Sequence, residues 1–280
     1  MSGQQASLLH LALIFKMSIL HSFKKTFPSI WKHKAFFLLV IVFQIFFFYA
    51  FFYTLNYYSL KIMDPEIQLH NSYSQLPSSE QEAAFNMIQG KNPLGEEVSN
   101  MLETYQSMMT NIKYFLFFSL LIYIVLNGLT WAFTDEIVNI KNVKSFFRYW
   151  LKFAIVSAIF LSILLFAVYT ILKPMLLTDN INFIPLVIIS SIILFFMYLC
   201  LALISKYPLK GLFRQIKKLM SNLHYLLLIF IIVFLLIIGL LALLSSLIES
   251  NIFLLLIILL LYLLALAWTR VFLITAVNDL

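Results

Sequence analysis

Residues Tyr225–Leu247 read YLLLIFIIVFLLIIGLLALLSSL, a run without a charge or a proline and with one glycine, Gly239. About 20 apolar residues in a helix cross a hydrocarbon core of roughly 30 Å. Five further blocks repeat the pattern: Ala35–Thr54, Tyr114–Phe133, Phe153–Leu172, Phe183–Ile204 and Ile252–Trp268, the last able to run on past Arg270 to Val277. None has an internal Asp, Glu, Lys or His. A transmembrane barrel would show short alternating strands. These runs are continuous and rich in Leu, Ile and Phe, so they predict helices. The expected fold is an all-α, polytopic bundle of six transmembrane helices, with cytoplasmic interfacial helices and one external helical loop, forming a single domain over residues 1–280.

Composition supports lipid as the solvent. The chain is 62% hydrophobic and only 11% charged, too little polar cover for a soluble domain of this size. The net charge of +7 is unevenly placed. Lys16, Lys24, Lys25, Lys32 and Lys34 precede the first span. Lys141, Lys144, Arg148 and Lys152 follow the second; Lys206, Lys210, Arg214, Lys217 and Lys218 follow the fourth; Arg270 ends the sixth. The other side holds only Lys61, Lys91, Lys113 and Lys173. Basic residues stay cytoplasmic, so both termini are expected in the cytoplasm and the protein in the plasma membrane. Cys200 is the single cysteine and reads as small apolar filler. Ser7–Phe15 lacks the flanks of a cleavable signal peptide, and Met17 opens a segment resembling a natural start.

Three spans are entered from the basic side, each after an aromatic and basic stretch. These are Ser22–Lys32 (SFKKTFPSIWK), Val143–Lys152 (VKSFFRYWLK) and Leu212–Leu219 (LFRQIKKL). Segments of this kind lie in the headgroup layer, rings inward and cations toward anionic phosphates. Lys24, Lys25, Trp31, Arg148, Trp150, Arg214, Lys217 and Lys218 are therefore the expected headgroup contacts, and an anionic bilayer the expected partner. The chain reads as three hairpins, each led by a basic amphipathic helix.

The sizeable polar region is the loop spanning residues 56–111, which holds seven of the twelve acidic residues. Ser79-Glu80-Gln81-Glu82 has the form of a capping box, predicting a short helix Glu80–Gln89 that stops at Gly90. Beyond Gly95, apolar residues at Val98, Met101, Leu102, Tyr105, Met108, Met109 and Ile112 form a helical stripe. No breaker separates it from Tyr114, so the second span is expected to begin as a helix standing above the membrane. Phe85 and Ile88 are candidates to cover the stripe. The loop is either a self-packed cap or a surface for a protein partner or a second copy. Lys173–Asn182 and Ile248–Asn251 are too short for anything but turns between antiparallel spans.

Chemistry is sparse. Gln44, Asn127, Ser157, Ser162, Ser190 and Ser191 are the polar residues well inside spans, suited to hydrogen bonds between helices. Gln44 and Asn127 are also a candidate pair lining a polar cavity, and Asn127-Gly128 permits a close helix approach. Asp135 and Glu136 end span two at the depth where Arg270 ends span six, so one of them with Arg270 is a candidate ion pair, in the main a structural latch. His10, His21, His33, His70 and His224 share no metal-ligand spacing. No catalytic, nucleotide or metal motif is present, no cofactor is implied, and nucleic acid is not an expected partner because the basic aromatics sit at span entrances.

The Ser22-Phe23-Lys24-Lys25-Thr26-Phe27 entry helix, its Lys32-His33-Lys34 end, the repeated basic segments before spans and Trp268-Thr269-Arg270-Val271-Phe272 carry a resemblance. The layout resembles a loose group of six-span prokaryotic membrane proteins that includes the membrane domain found beside some glycerophosphodiester phosphodiesterases. The resemblance implies a helical membrane protein; no phosphodiesterase domain is present, so it implies no catalytic residue. The functional expectation is a non-enzymatic scaffold or accessory protein acting on lipids or membrane-protein partners. A transporter or small channel for an uncharged or amphipathic solute is the alternative, with a membrane enzyme disfavoured.

Overall fold

The computed structural model describes residues 20–75, 96–139, 143–175, 184–246 and 252–279. They are helical nearly throughout, with no strand among them. Residues 20–32 form α1. Lys34–Gln75 is α2 and Glu96–Ile122 is α3; a π-helical turn, Tyr123–Asn127, joins α3 to α4, Gly128–Val138. Val143–Met175 is α5, Ile184–Leu203 is α6, and the short Leu212–Leu219 is α7. Leu223–Ser246 and Ile252–Asp279 are α8 and α9. Six stretches of these helices are long and apolar enough to cross a membrane, so the all-α polytopic fold expected from the sequence is present.

The chain divides into two compact units, one of residues up to Ile45 together with Ile124 onward, the other Phe46–Tyr123. In the smaller unit, much of the expected external loop is helix. α2 does not stop at Thr54 but runs on to Gln75, and its 42 residues make a helix about 63 Å long, far beyond a hydrocarbon core. Its extension carries Pro65, which has no N–H to donate to the carbonyl of Lys61. Asn111 Nδ2 donates to that carbonyl at 3.4 Å instead. Tyr58 packs against Phe115 and Phe118, and Phe47 against Tyr123. Along α3, Leu102, Tyr105, Met108, Met109 and Ile112 are half-buried while Glu103, Gln106, Ser107 and Thr110 are exposed, the alternation the stripe predicts. The segment Glu80–Gln89, Gly90, residues 176–182 and residues 248–251 lie outside the described residues.

The larger unit is organised around α4. Gly128, Thr130, Trp131, Ala132, Thr134, Asp135, Glu136 and Ile137 are all buried on this one short helix. α5 and α9 pack against it, α6 packs against α5 and α9, and α8 against α9. Gly128 makes the α4–α5 approach feasible: a Cβ there would lie 2.8 Å from Trp150 Nε1 and 2.9 Å from Phe153 Cδ1. Gly239 has nothing within 4 Å of such a Cβ. Val40, Ile137, Ala267 and Val271 form a core cluster joining the start of α2 to α4 and α9.

Burial is lopsided along the helices of this unit. Leu199–Ile204 of α6 and its C-terminal end, Val271–Val277 of α9, and Tyr225, Leu226 and Ile229 of α8 are buried. The other ends of the same helices expose Ile184, Val187 and Ile188, Leu256, Leu260 and Leu261, and Phe234, Leu235 and Leu241. The packed ends are those that carry the basic segments. The exposed apolar faces are far larger than a water-soluble monomer shows and match lipid in polarity.

Candidate functional site

Between α6, α8 and α9 lies a cavity of about 630 Å³, within the range of ligand sites. Phe195, Phe230, Phe234 and Leu266 line it, and the Phe195 and Phe230 rings sit 4.6 Å apart. At the packed end the lining turns polar, with Trp131, Tyr198, Thr269 and Arg270. Trp131 and Tyr198 rings are 5.8 Å apart there. Span patterning creates the groove: α8 is apolar on every face, so it offers one side to α9 and leaves another facing α6 and lipid.

Behind Arg270 stands a buried polar network. Arg270 Nη2 donates to Asn127 Oδ1 at 3.0 Å. Thr130 Oγ1 donates to Asn127 O at 2.6 Å and lies 3.1 Å from Asn127 Oδ1. The π turn supplies this geometry, since an extra residue per turn changes which side chain faces inward, and Asn127 is its last residue. One turn further along α4, Asp135 accepts hydrogen bonds from Ser205 Oγ and from Asn139 Nδ2, the latter at 2.9 Å. Asn139 Nδ2 also reaches Ser205 Oγ at 2.6 Å. This ties the end of α4 to the end of α6. Tyr149 OH donates to Leu201 O at 3.0 Å. Lys152 Nζ donates to Ile204 O, just past the end of α6, and to Tyr207 O in the turn that follows, both at 3.0 Å, a cationic donor at the helix C-terminus.

The sequence-derived residues distribute as follows. Asn127 and Arg270 come together directly. Asp135 joins Asn139 and Ser205, and Glu136 is buried beside it in the chain. Gln44 is fully buried, and its amide makes no hydrogen bond among the described residues. Neither Gln44 nor Asn127 lines the groove, so the polar cavity expected of the pair is not what this groove is. Ser157 is buried, Ser162 exposed, Ser190 half-buried, and Ser191 lines the groove while its hydroxyl donates to Val187 O at 2.7 Å.

Of the expected headgroup contacts, Lys24, Arg148, Arg214, Lys217 and Lys218 are exposed and Trp31 is 82% exposed. Two differ. The Trp150 indole lies over Gly128, with Nε1 buried. Lys25, though exposed, pairs with Asp279 at 2.7 Å, and Ser22 Oγ donates to the same carboxylate at 2.9 Å. The rings of α1 turn to protein as well as outward: Phe23 meets Trp268 at 5.2 Å and Phe272 at 6.3 Å, and Trp268 stacks on Phe272 at 5.0 Å. Lys152 as a helix cap, Ser205 and Asn139 were not singled out by sequence. Lys152 and Ser205 find partners 52 to 70 positions away, and Asn139 reaches Ser205 66 positions on as well as Asp135 four positions back. Among the described residues no group of three His, Cys, Asp or Glu is placed to hold a metal ion.

Comparison with known proteins finds no matching family model, no matching curated protein and no matching solved structure.

Proposed function

We propose that this chain is a non-enzymatic membrane protein that holds part of a lipid or similar amphiphile in the groove between α6, α8 and α9, and serves lipids or membrane-protein partners as an accessory. The observation that carries this reading is the groove itself: an apolar trough of about 630 Å³ with Trp131, Tyr198, Thr269 and Arg270 at one end, and toward the other Ser191, whose hydroxyl is taken up by Val187 O. An amphiphile has the same division, so its chain gains apolar burial along Phe195, Phe230 and Phe234 while its polar part meets Thr269 and Arg270. We place both termini in the cytoplasm of a plasma-membrane protein, a reading supported by the alternation of basic residues between loops. The helical pair in residues 46–123 offers a surface for a protein partner or a second copy.

The test is lipid retention. The protein, washed extensively in detergent, is extracted and its lipid measured per chain. Wild type retains lipid. Leu227→Trp, which fills the groove, loses it; Leu261→Trp, on exposed α9 surface outside the groove lining, does not. Equal retention by all three would contradict the reading.

A further inference from the structure

A second, smaller cavity lies just beyond the polar end of the groove. It holds about 60 Å³, several times the roughly 10–15 Å³ that one water needs, which is the scale of a small oxyanion. Lys206, Lys218, Gln215, Ser221 and Asn222 line it, with Val277 among its apolar residues. The two cavities are neighbours by helical register. Leu273 lines the groove and Val277 the small cavity, four residues apart on one face of α9. Met220 lines the groove, while Leu219 and Ser221 on either side of it line the small cavity. One helical turn, about 5.4 Å, therefore separates the end of an apolar trough from a pocket with two ammonium groups.

The charge is one-sided. Lys206 and Lys218 line the small cavity and Arg270 the groove, and neither lining contains an Asp or Glu. Both lysines are exposed, and Lys206 Nζ reaches Asn278 O at 3.4 Å, which holds its ammonium on the C-terminal end of α9. Gln215 and Asn222 add amide donors beside the cations, while Ser221 Oγ donates to Lys218 O at 2.7 Å. Ammonium groups flanked by amide donors suit phosphate oxygens.

We propose that the ligand is a phosphate-bearing anionic lipid, its acyl chain in the groove and its headgroup phosphate at Lys206 and Lys218. This rests on the reading of the groove as a lipid site. It adds a headgroup class and the two residues that select it, both in the segment that leads into α8 rather than in a span.

The experiment uses the full chain in phosphatidylcholine nanodiscs. Phosphatidylglycerol and phosphatidylcholine carrying the same photoreactive acyl chain are added in parallel, and labelled peptides are mapped by mass spectrometry. Phosphatidylglycerol is expected to label the groove peptides of α6 and α8 more than phosphatidylcholine does, by about fivefold for each lysine engaged. Lys206→Gln with Lys218→Gln removes that preference, lowering phosphatidylglycerol labelling to the level of phosphatidylcholine, whose choline offsets its phosphate charge; both lysines are exposed, so the fold is retained. Leu227→Trp removes groove labelling by both lipids. Equal labelling by the two lipids in wild type, or a preference that survives loss of both lysines, overturns the headgroup assignment alone. Absence of groove labelling by either lipid overturns the lipid-site reading beneath it.

Discussion

Arg270 Nη2 donates to Asn127 Oδ1 at 3.0 Å across 143 positions of sequence, joining the π turn before α4 to the middle of α9. A guanidinium donor bound to a buried amide oxygen contributes about 1.5–3 kcal/mol, and removing the acceptor strands the donor. Asn127→Leu is expected to lower stability by that amount, measured by reversible denaturation in mixed micelles. Asn127→Leu with Arg270→Met is expected to cost less than the sum of the single changes. Strict additivity would show that the contact carries no energy.

The two span glycines should behave oppositely. At Gly128 a methyl group would press on Trp150 and Phe153, so Gly128→Ala is expected to destabilise by about 1–3 kcal/mol, as overpacking does. Gly239 faces open space, and Gly239→Ala is expected to be neutral or to stabilise by up to about 1 kcal/mol through helix propensity. Thermal unfolding of both variants in one detergent makes the comparison.

Lys152 resembles any positive flank in the sequence, yet its ammonium caps α6. Lys152→Met is expected to cost about 1.5–3 kcal/mol by leaving the Ile204 and Tyr207 carbonyls short of a charged donor. Lys144→Met, at an exposed site in the same basic segment, is expected to change stability by less than about 0.5 kcal/mol. Equal losses would mean that only net charge matters.

α1 is held by rings more than by charge. The Lys25–Asp279 pair is exposed on the lysine side, so Lys25→Gln is expected to cost no more than about 1 kcal/mol. Phe23→Ala removes ring contacts with Trp268 and Phe272 as well as apolar burial, each aromatic pair adding about 0.5–1.5 kcal/mol. Hydrogen exchange over residues 20–32 is expected to accelerate more in Phe23→Ala than in Lys25→Gln.

What was legible in the sequence follows from how each signal is encoded. Hydropathy is local, so runs such as Tyr225–Leu247 identify the spans directly. Helix ends are set by competing local and tertiary terms, so the apolar run closes at Thr54 while the helix continues to Gln75. Pro65 leaves the Lys61 carbonyl without an N–H donor, and the Asn111 amide from another helix serves it. Asn127 and Arg270 were each visible as polar residues in or at the end of an apolar run. Their pairing was not, because it depends on the rotation that the π turn gives α4. Trp150 carried an interfacial signature, and only its packing on Gly128 shows that its ring faces protein. The groove has no sequence motif, since its lining residues are the same Phe, Leu and Ile that face lipid elsewhere.

The central claim, that the groove is filled by lipid and not by water, is tested most directly by spin labels in a Cys200→Ser background. Labels at Ser191 and Leu227 report on the groove, and one at Ser221 on the polar segment before α8. Power saturation in bilayers compares collisions with oxygen, which partitions into lipid, and with a water-soluble nickel chelate. Oxygen is expected to dominate at Ser191 and Leu227 and nickel at Ser221. Nickel-dominated collisions at the two groove positions would mean an aqueous path, contradict the lipid site and make transport the better reading.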